Sequence, residues 1–513
     1  MNRTLNSSKN LFFGFINKVI CLILPFFLRT LIINYLGVEY VGLNSLFTSL
    51  LNMLNLAELG ISSAIVFSMY SAIAKKDTVL ISALINVYKK VYRIIGIIVL
   101  VLGLAISPFL NYLISGDVPS DINLYILYYI YLGQTVLTYF LFAYKSCLFT
   151  AHQRADVISN VSTIVFLIQY ILQGVVVFFF KNYYVYALFL PATTILNNIV
   201  IAILSKKYYP DYEPRGTLDE FNAQQIKSKV KSLFLYKVGS VVLTSVDSIV
   251  ISAFLGLAVL GRYNNYYYVI TALFGFLQVY YNAIAASIGN SIVVETKEKN
   301  QKDFNRLFLV QAWIVSWCST CLFCLYQPFM NMWVGSEMQF SDGVVLCFAV
   351  YFFVWKIMDI INVYKDAAGL WEYDKFRPLV ASIVNLALNI LLVQFIGIYG
   401  ILLSTIISII FVIFPWSTYI LFKHLFNTNV KKDWLIFIVR VVITFIVCVG
   451  VTALTYLVST IVTRNDFIGL ILKALICISI PNLLYLICFS FFKDFKETKD
   501  WVFSKFRLLF KKK

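Results

Sequence analysis

Fourteen predominantly apolar runs alternate with short polar stretches along the chain, at 11–35, 43–70, 91–115, 122–148, 157–180, 184–205, 232–255, 264–293, 307–333, 343–366, 378–395, 397–422, 434–460 and 467–492. Each reaches roughly the 20 residues that cross a bilayer as a helix. The pattern therefore predicts an all-α integral membrane protein with fourteen transmembrane helices. The first run contains Lys18 and Arg29, so it lacks the short clean core and small-residue cleavage site of a secretory signal and is expected to be a retained helix.

The polar and glycine landmarks recur. Phe15, Lys18-Val19, Leu36-Gly37 and Gly42 match Phe234, Lys237-Val238, Leu255-Gly256 and Gly261, each displaced by 219 positions (237 − 18). Further along, Tyr144-Lys145 matches Tyr364-Lys365 and Gln173 matches Gln394, at displacements of 220 and 221 (364 − 144 and 394 − 173). Hydrophobic composition does not generate such matches, and a period of this length is a domain-sized internal duplication. Six spans per copy is an even number, so both copies enter the membrane in the same sense, as parallel repeats. The expected organisation is a six-helix bundle over 1–205, a cytoplasmic connecting loop over 206–231, a second six-helix bundle over 232–422, an additional helix pair over 423–492 and a basic tail over 493–513.

Composition agrees with the pattern. Sixty per cent of residues are hydrophobic and 13% charged, with a mean hydropathy of +0.83, far from the roughly 45–50% apolar and about 25% charged of a soluble domain. The net charge of +17 does not point to nucleic acid, because the basic residues crowd alternate loops. One side holds Lys75, Lys76, Lys89, Lys90 and Arg93, the 206–231 loop, Lys297 to Arg306, Lys431-Lys432 and the final Lys511-Lys512-Lys513; the other offers Lys181, Arg262 and Arg464. That asymmetry predicts a multi-pass protein with both termini in the cytoplasm, its basic face beside anionic membrane lipids. The YNNYYY stretch at 263–268 reads either as an aromatic belt at a membrane edge or as a sugar-stacking surface.

Charges inside the apolar runs are the candidates for function, since each is costly in a bilayer. Lys18 and Arg29 are eleven residues apart, about three turns at roughly 3.6 residues each, and so share one helix face. Snorkelling to the two interfaces is the competing reading for both. Lys237 repeats Lys18, whereas Asp247 stands where the first copy has Leu28. Lys356 and Asp359 are spaced to pair along a helix. Cations exceed carboxylates, with Lys18, Arg29, Lys237, Lys356 and Arg440 against Glu58, Asp247 and Asp359. A water-filled cationic cavity that binds an anion is the expectation, with Glu58, Asp247 and Asp359 as candidate ion-coupling groups.

Nothing indicates an enzyme. His152 and His424 sit at the ends of spans, and no nucleophile elbow, phosphate loop or metal-ligand set is present, so no catalytic residue, metal or cofactor is expected. Cys318, Cys321 and Cys324 have an iron–sulfur spacing, but they lie in an apolar run with no Cys-Pro following and read as small hydrophobes.

LAELGISSAI after LGVEYVGLN, TSVDSIVISAFLGLAVLGRYNNYYYVI in the seventh span and KDAAGLWEYDKFRP after the tenth resemble the polysaccharide transporter family of the multidrug/oligosaccharidyl-lipid/polysaccharide flippase superfamily. The resemblance covers nearly the whole chain. It implies a two-bundle fold with alternating access and a lipid flippase of the bacterial cytoplasmic membrane. Its cargo is then an undecaprenyl-pyrophosphate-linked oligosaccharide repeat unit for capsule, O-antigen or exopolysaccharide, with polymerase and glycosyltransferases as partners and no nucleic acid. The anionic pyrophosphate is a ligand of the kind that the excess of cations requires. Two alternatives stay open: a cation-coupled drug or small-molecule exporter, and a membrane polymerase or glycosyltransferase of the same pathway.

Overall fold

A computed structural model describes residues 3–55, 61–426, 429–464, 466–492 and 494–510. Helices and short turns account for all of them, with no strand among the described residues. The chain begins with α1 (Arg3–Tyr35), α2 (Val38–Leu54), α3 (Ile61–Ala74), α4 (Thr78–Ile106) and α5 (Leu124–Phe140). Then follow α6 (Ser146–Ala151), α7 (Ala155–Val175), α8 (Tyr183–Tyr208), α9 (Glu220–Leu255), α10 (Leu257–Val294) and α11 (Lys297–Val334). After these come α12 (Asp342–Ile357), α13 (Asp359–Ala367), α14 (Trp371–Asp374), α15 (Arg377–Ile396), α16 (Ile398–Ser408) and α17 (Phe414–Leu421). The last three are α18 (Val430–Ser459), α19 (Phe467–Ser490) and α20 (Phe495–Phe510).

Among the described residues twelve helices are long and apolar enough to cross a membrane, and α5 with α6, bent by 47° at a short break, makes a thirteenth if counted as one span. The expected second span, 43–70, coincides with α2 and α3 on either side of residues 56–60, which are outside the described residues. Helix also occupies stretches where no span is expected, in α14, in α20 and at the starts of α4, α9 and α11. Asp219 accepts a hydrogen bond from the Asn222 amide and starts α9 twelve residues before the seventh apolar run (232 − 220), because a capping carboxylate followed by Glu, Gln, Lys and Ala propagates a helix without help from apolarity. The tail holds α20, where charged and aromatic residues are mixed.

By contact the chain divides into residues 1–264 and 265–513. In the first unit α9 packs against α2 and α3, and α1 against α7. Backbones meet at glycine: a Cβ on Gly42 would lie 2.2 Å from the Leu257 carbonyl oxygen, and one on Gly261 would lie 2.3 Å from the Val38 carbonyl oxygen. The contact is reciprocal under the 219-residue displacement (261 − 42 and 257 − 38), and any side chain at either glycine would push the helices apart. Gly37 and Gly256, at the α1–α2 and α9–α10 junctions, both have positive φ, 130° and 86°, which glycine adopts without steric cost.

The core of the second unit is aromatic, with Phe304 within 5.4 Å of both Phe426 and Phe437 and Phe308 4.8 Å from Phe437 between ring centroids. The α18–α19 pair docks on α11. Trp313 donates to the Asn482 side chain and Trp317 to the Cys477 carbonyl, each at 2.8 Å. Thr320 lies 2.8 Å from Thr452 and 2.9 Å from the Tyr485 hydroxyl.

Candidate functional site

Four of the charges singled out from sequence lie on two helices of the first unit. On α1, Lys18 is exposed and Arg29 half-buried. Arg29 Nη1 donates to the Asn264 carbonyl at 2.8 Å, and its guanidinium is within electrostatic range of Tyr186. Pro25 lies within the unbroken helix between them. On α9, Lys237 is half-buried and Asp247 buried, the latter among the buried Ser245, Ser248 and Ser252. Glu58 lies outside the described residues.

Neutral polar networks surround these helices. Gln173 donates to the Tyr186 carbonyl at 3.1 Å and Gln169 to Gln173 at 3.3 Å, while Thr193 donates to Gln169 at 2.7 Å. Tyr131 donates to Asn44 at 2.8 Å and lies 3.1 Å from the Tyr183 hydroxyl, which donates to the Tyr40 carbonyl at 3.2 Å. A search for intramembrane charge passes over these groups. The signal that finds them is amides and hydroxyls recurring at helical spacing within an apolar run, as at Gln169 and Gln173.

In the second unit the interior cations have carboxylate partners. Lys356 Nζ reaches Asp359 at 2.7 Å across the break at Met358 between α12 and α13. The same ammonium is 3.8 Å from the Phe274 ring centroid, close enough for a cation–π attraction. Gln311 donates to the Lys356 carbonyl at 2.7 Å and to the Tyr281 hydroxyl. Arg440 pairs with Asp494 at 2.9 Å, between the rings of Phe308 and Phe492 at 5.7 and 5.4 Å.

The KDAAGLWEYDKFRP stretch folds into one buried charge cluster. Asp374 accepts from Lys365 at 2.5 Å and from Arg377 at 2.7 and 2.8 Å, and Lys365 also donates to Ser417 at 3.2 Å. The bidentate Arg377 fork fixes the carboxylate plane. Cys318, Cys321 and Cys324 lie on α11, where Cys321 Sγ approaches the Cys477 carbonyl at 3.7 Å. Lys356, Lys365, Arg377 and Arg440 of the second unit are thus each paired with a carboxylate, whereas Arg29 in the first unit meets a backbone carbonyl.

The fold is similar to that of known transporters. Lipid II flippase MurJ, in an inward closed conformation, superposes with a TM-score of 0.63 at 18% identity, covering 94% of this chain and 98% of that one. A multidrug resistance MATE family transporter in an inward-facing conformation gives 0.61 at 11% identity over 79% and 94%. A eukaryotic MATE transporter gives 0.54 at 12% identity over 86% and 100%. No curated protein matches by sequence. The family model described as "Polysaccharide biosynthesis protein" matches residues 7–286, more than half of the 513, and this multi-pass membrane protein therefore belongs to that polysaccharide biosynthesis family.

Proposed function

We propose that the protein is a flippase that carries polyprenyl-pyrophosphate-linked oligosaccharide repeat units across the bacterial cytoplasmic membrane by alternating access. Both termini are cytoplasmic in this reading, and a polymerase and glycosyltransferases act on either side of the step. The supporting observation is the pairing of a polysaccharide-biosynthesis family match over residues 7–286 with a MurJ-like fold over nearly the whole chain. Arg29, with Lys18 and Lys237, engages the pyrophosphate, and Asp247, Asp359 and Glu58 are the groups through which an ion couples. Lys356 and Arg440 hold their charge in reserve behind Asp359 and Asp494.

The test is flux of a fluorescent undecaprenyl-pyrophosphate oligosaccharide in proteoliposomes. Arg29→Ala is expected to lower flux by about tenfold to a hundredfold, the equivalent of one charged hydrogen bond worth roughly 1.5–3 kcal/mol. Arg29→Lys restores part of it, since an ammonium lacks the bidentate fork. Wild-type protein that moves no such lipid overturns the reading. The MATE-like fold favours a second reading, an ion-coupled small-molecule exporter, which predicts dye flux in the same vesicles.

A further inference from the structure

Two helices of the first unit carry facing polar stripes. On α2 and at its C-cap, Asn44, Thr48, Asn52 and Asn55 recur every three or four residues, and on α5 Tyr131, Gln134, Thr135 and Thr138 recur at helical spacing, so each set occupies one helix face. The two helices pack together and leave between them a cavity of about 250 Å³, lined by both stripes below Asn44 and by Tyr139, with Leu51 as the one apolar contributor and no charged residue.

Hydrogen bonds within the stripes leave much of this chemistry unused. Thr135 and Thr138 donate to the carbonyls of Tyr131 and Gln134 at 3.2 and 3.0 Å, and Tyr139 donates to Asn55 Oδ1 at 3.0 Å. The Thr135 and Thr138 oxygens keep acceptor lone pairs, and the Asn55 carboxamide keeps its two N–H donors. The side chains of Asn52 and Gln134 form no hydrogen bond with another described residue, and Asn52 is exposed. Amides in that state cannot face lipid, where nothing solvates them.

We propose that the cleft between α2 and α5 is a subsite for one neutral pyranose ring of the cargo, a reading that rests on the flippase function proposed above. Alternating donors and acceptors match a ring whose every hydroxyl is both, and the rings of Tyr131 and Tyr139 match its apolar C–H face. A phosphate or uronate needs a cation, which the cleft lacks, and a hydrocarbon chain would strand the amides. The volume falls below the roughly 300–1,000 Å³ that encloses a drug-sized ligand, and it suits a single ring.

The experiment titrates full-length protein in nanodiscs with four probes: undecaprenyl pyrophosphate alone, and the same lipid bearing one N-acetylglucosamine, one galactose or one glucuronate. At least one neutral-sugar lipid is expected to bind about tenfold tighter than the bare lipid, the ratio that a few net hydrogen bonds supply, and glucuronate to gain nothing. Asn52→Leu and Gln134→Leu should each erase most of that gain while leaving the affinity for the bare lipid unchanged, which also shows that the variants are folded. Asn52→Gln and Gln134→Asn should retain part of it. A wild-type protein that binds all four lipids equally, or leucine variants that keep the full preference, overturns the subsite alone. A wild-type protein that binds none of the four overturns the flippase function itself.

Discussion

Lys356 illustrates what one side chain can and cannot announce. Its spacing from Asp359 shows a pairing along the helix, and the pair forms at 2.7 Å. The Phe274 ring 3.8 Å from the ammonium comes from α10, far away in sequence, and no local pattern reveals it. Removing one member of a buried pair strands the other at a cost of roughly 3–5 kcal/mol, whereas replacing both with apolar groups of similar size is often neutral. Lys356→Met is therefore expected to lower the thermal midpoint of the purified protein markedly, and the double variant Lys356→Met/Asp359→Leu to recover most of it. A double variant no more stable than the single one would show that Asp359 has another essential partner. Arg29 was legible in the same way, as an expensive charge in an apolar run, while its acceptor at Asn264 lies 235 positions away. Asn52 and Gln134 escaped notice because a search for charge passes over neutral amides.

At the level of elements, apolar run length was a good guide and a partial one. Most expected spans coincide with one long apolar helix, since length and hydrophobicity decide membrane insertion, but among the described residues twelve, or thirteen with the bent α5–α6 pair, pass for membrane-crossing rather than fourteen. The start of α9 at Asp219 and the whole of α20 depend on capping and propensity, to which a count of apolar residues is blind. The α13–α15 connection adds a third kind of element, held by charge. Its Asp374 serves both Lys365 and Arg377 in a buried cluster, so Asp374→Asn weakens two ion pairs at once, and folded protein recovered from membranes should fall severalfold. Glu497 also meets two cations, Lys302 and Arg306 at 2.8 Å each, but it is half-exposed, and such surface pairs contribute about 0–1 kcal/mol. Glu497→Gln should leave that yield, read for both variants as the monodisperse peak in size-exclusion chromatography, nearly unchanged. Equal losses from the two variants would mean that burial is not what separates the two clusters.

For the molecule as a whole, the alternation of basic loops carries the orientation. Single cysteines placed in 206–219 and after residue 493 should react with an impermeant thiol reagent only from the cytoplasmic side, and those in 116–121 only from outside. A reactive 206–219 segment on the outer face would remove the basis for the topology. Energy coupling belongs to the same scale: in the proposed flippase an ion gradient, membrane potential or product consumption drives net flux. Asp247→Asn is expected to slow flux and flatten its dependence on pH or sodium without preventing lipid binding. Unchanged flux and ion dependence would leave downstream polymerisation as the driving force.

The reciprocal contact of Gly42 and Gly261 bears on how such a chain changes over generations. In an assembly of two identical subunits, one glycine codon would provide both halves of the contact. In this single chain each glycine depends on a separate codon, and loss of either leaves one backbone still pressed against its partner and the other held off. Gly42→Ala and Gly261→Ala should thus each do comparable harm alone. Elsewhere positions 219 apart can differ, as Leu28 and Asp247 do; at these two the same residue makes the same contact.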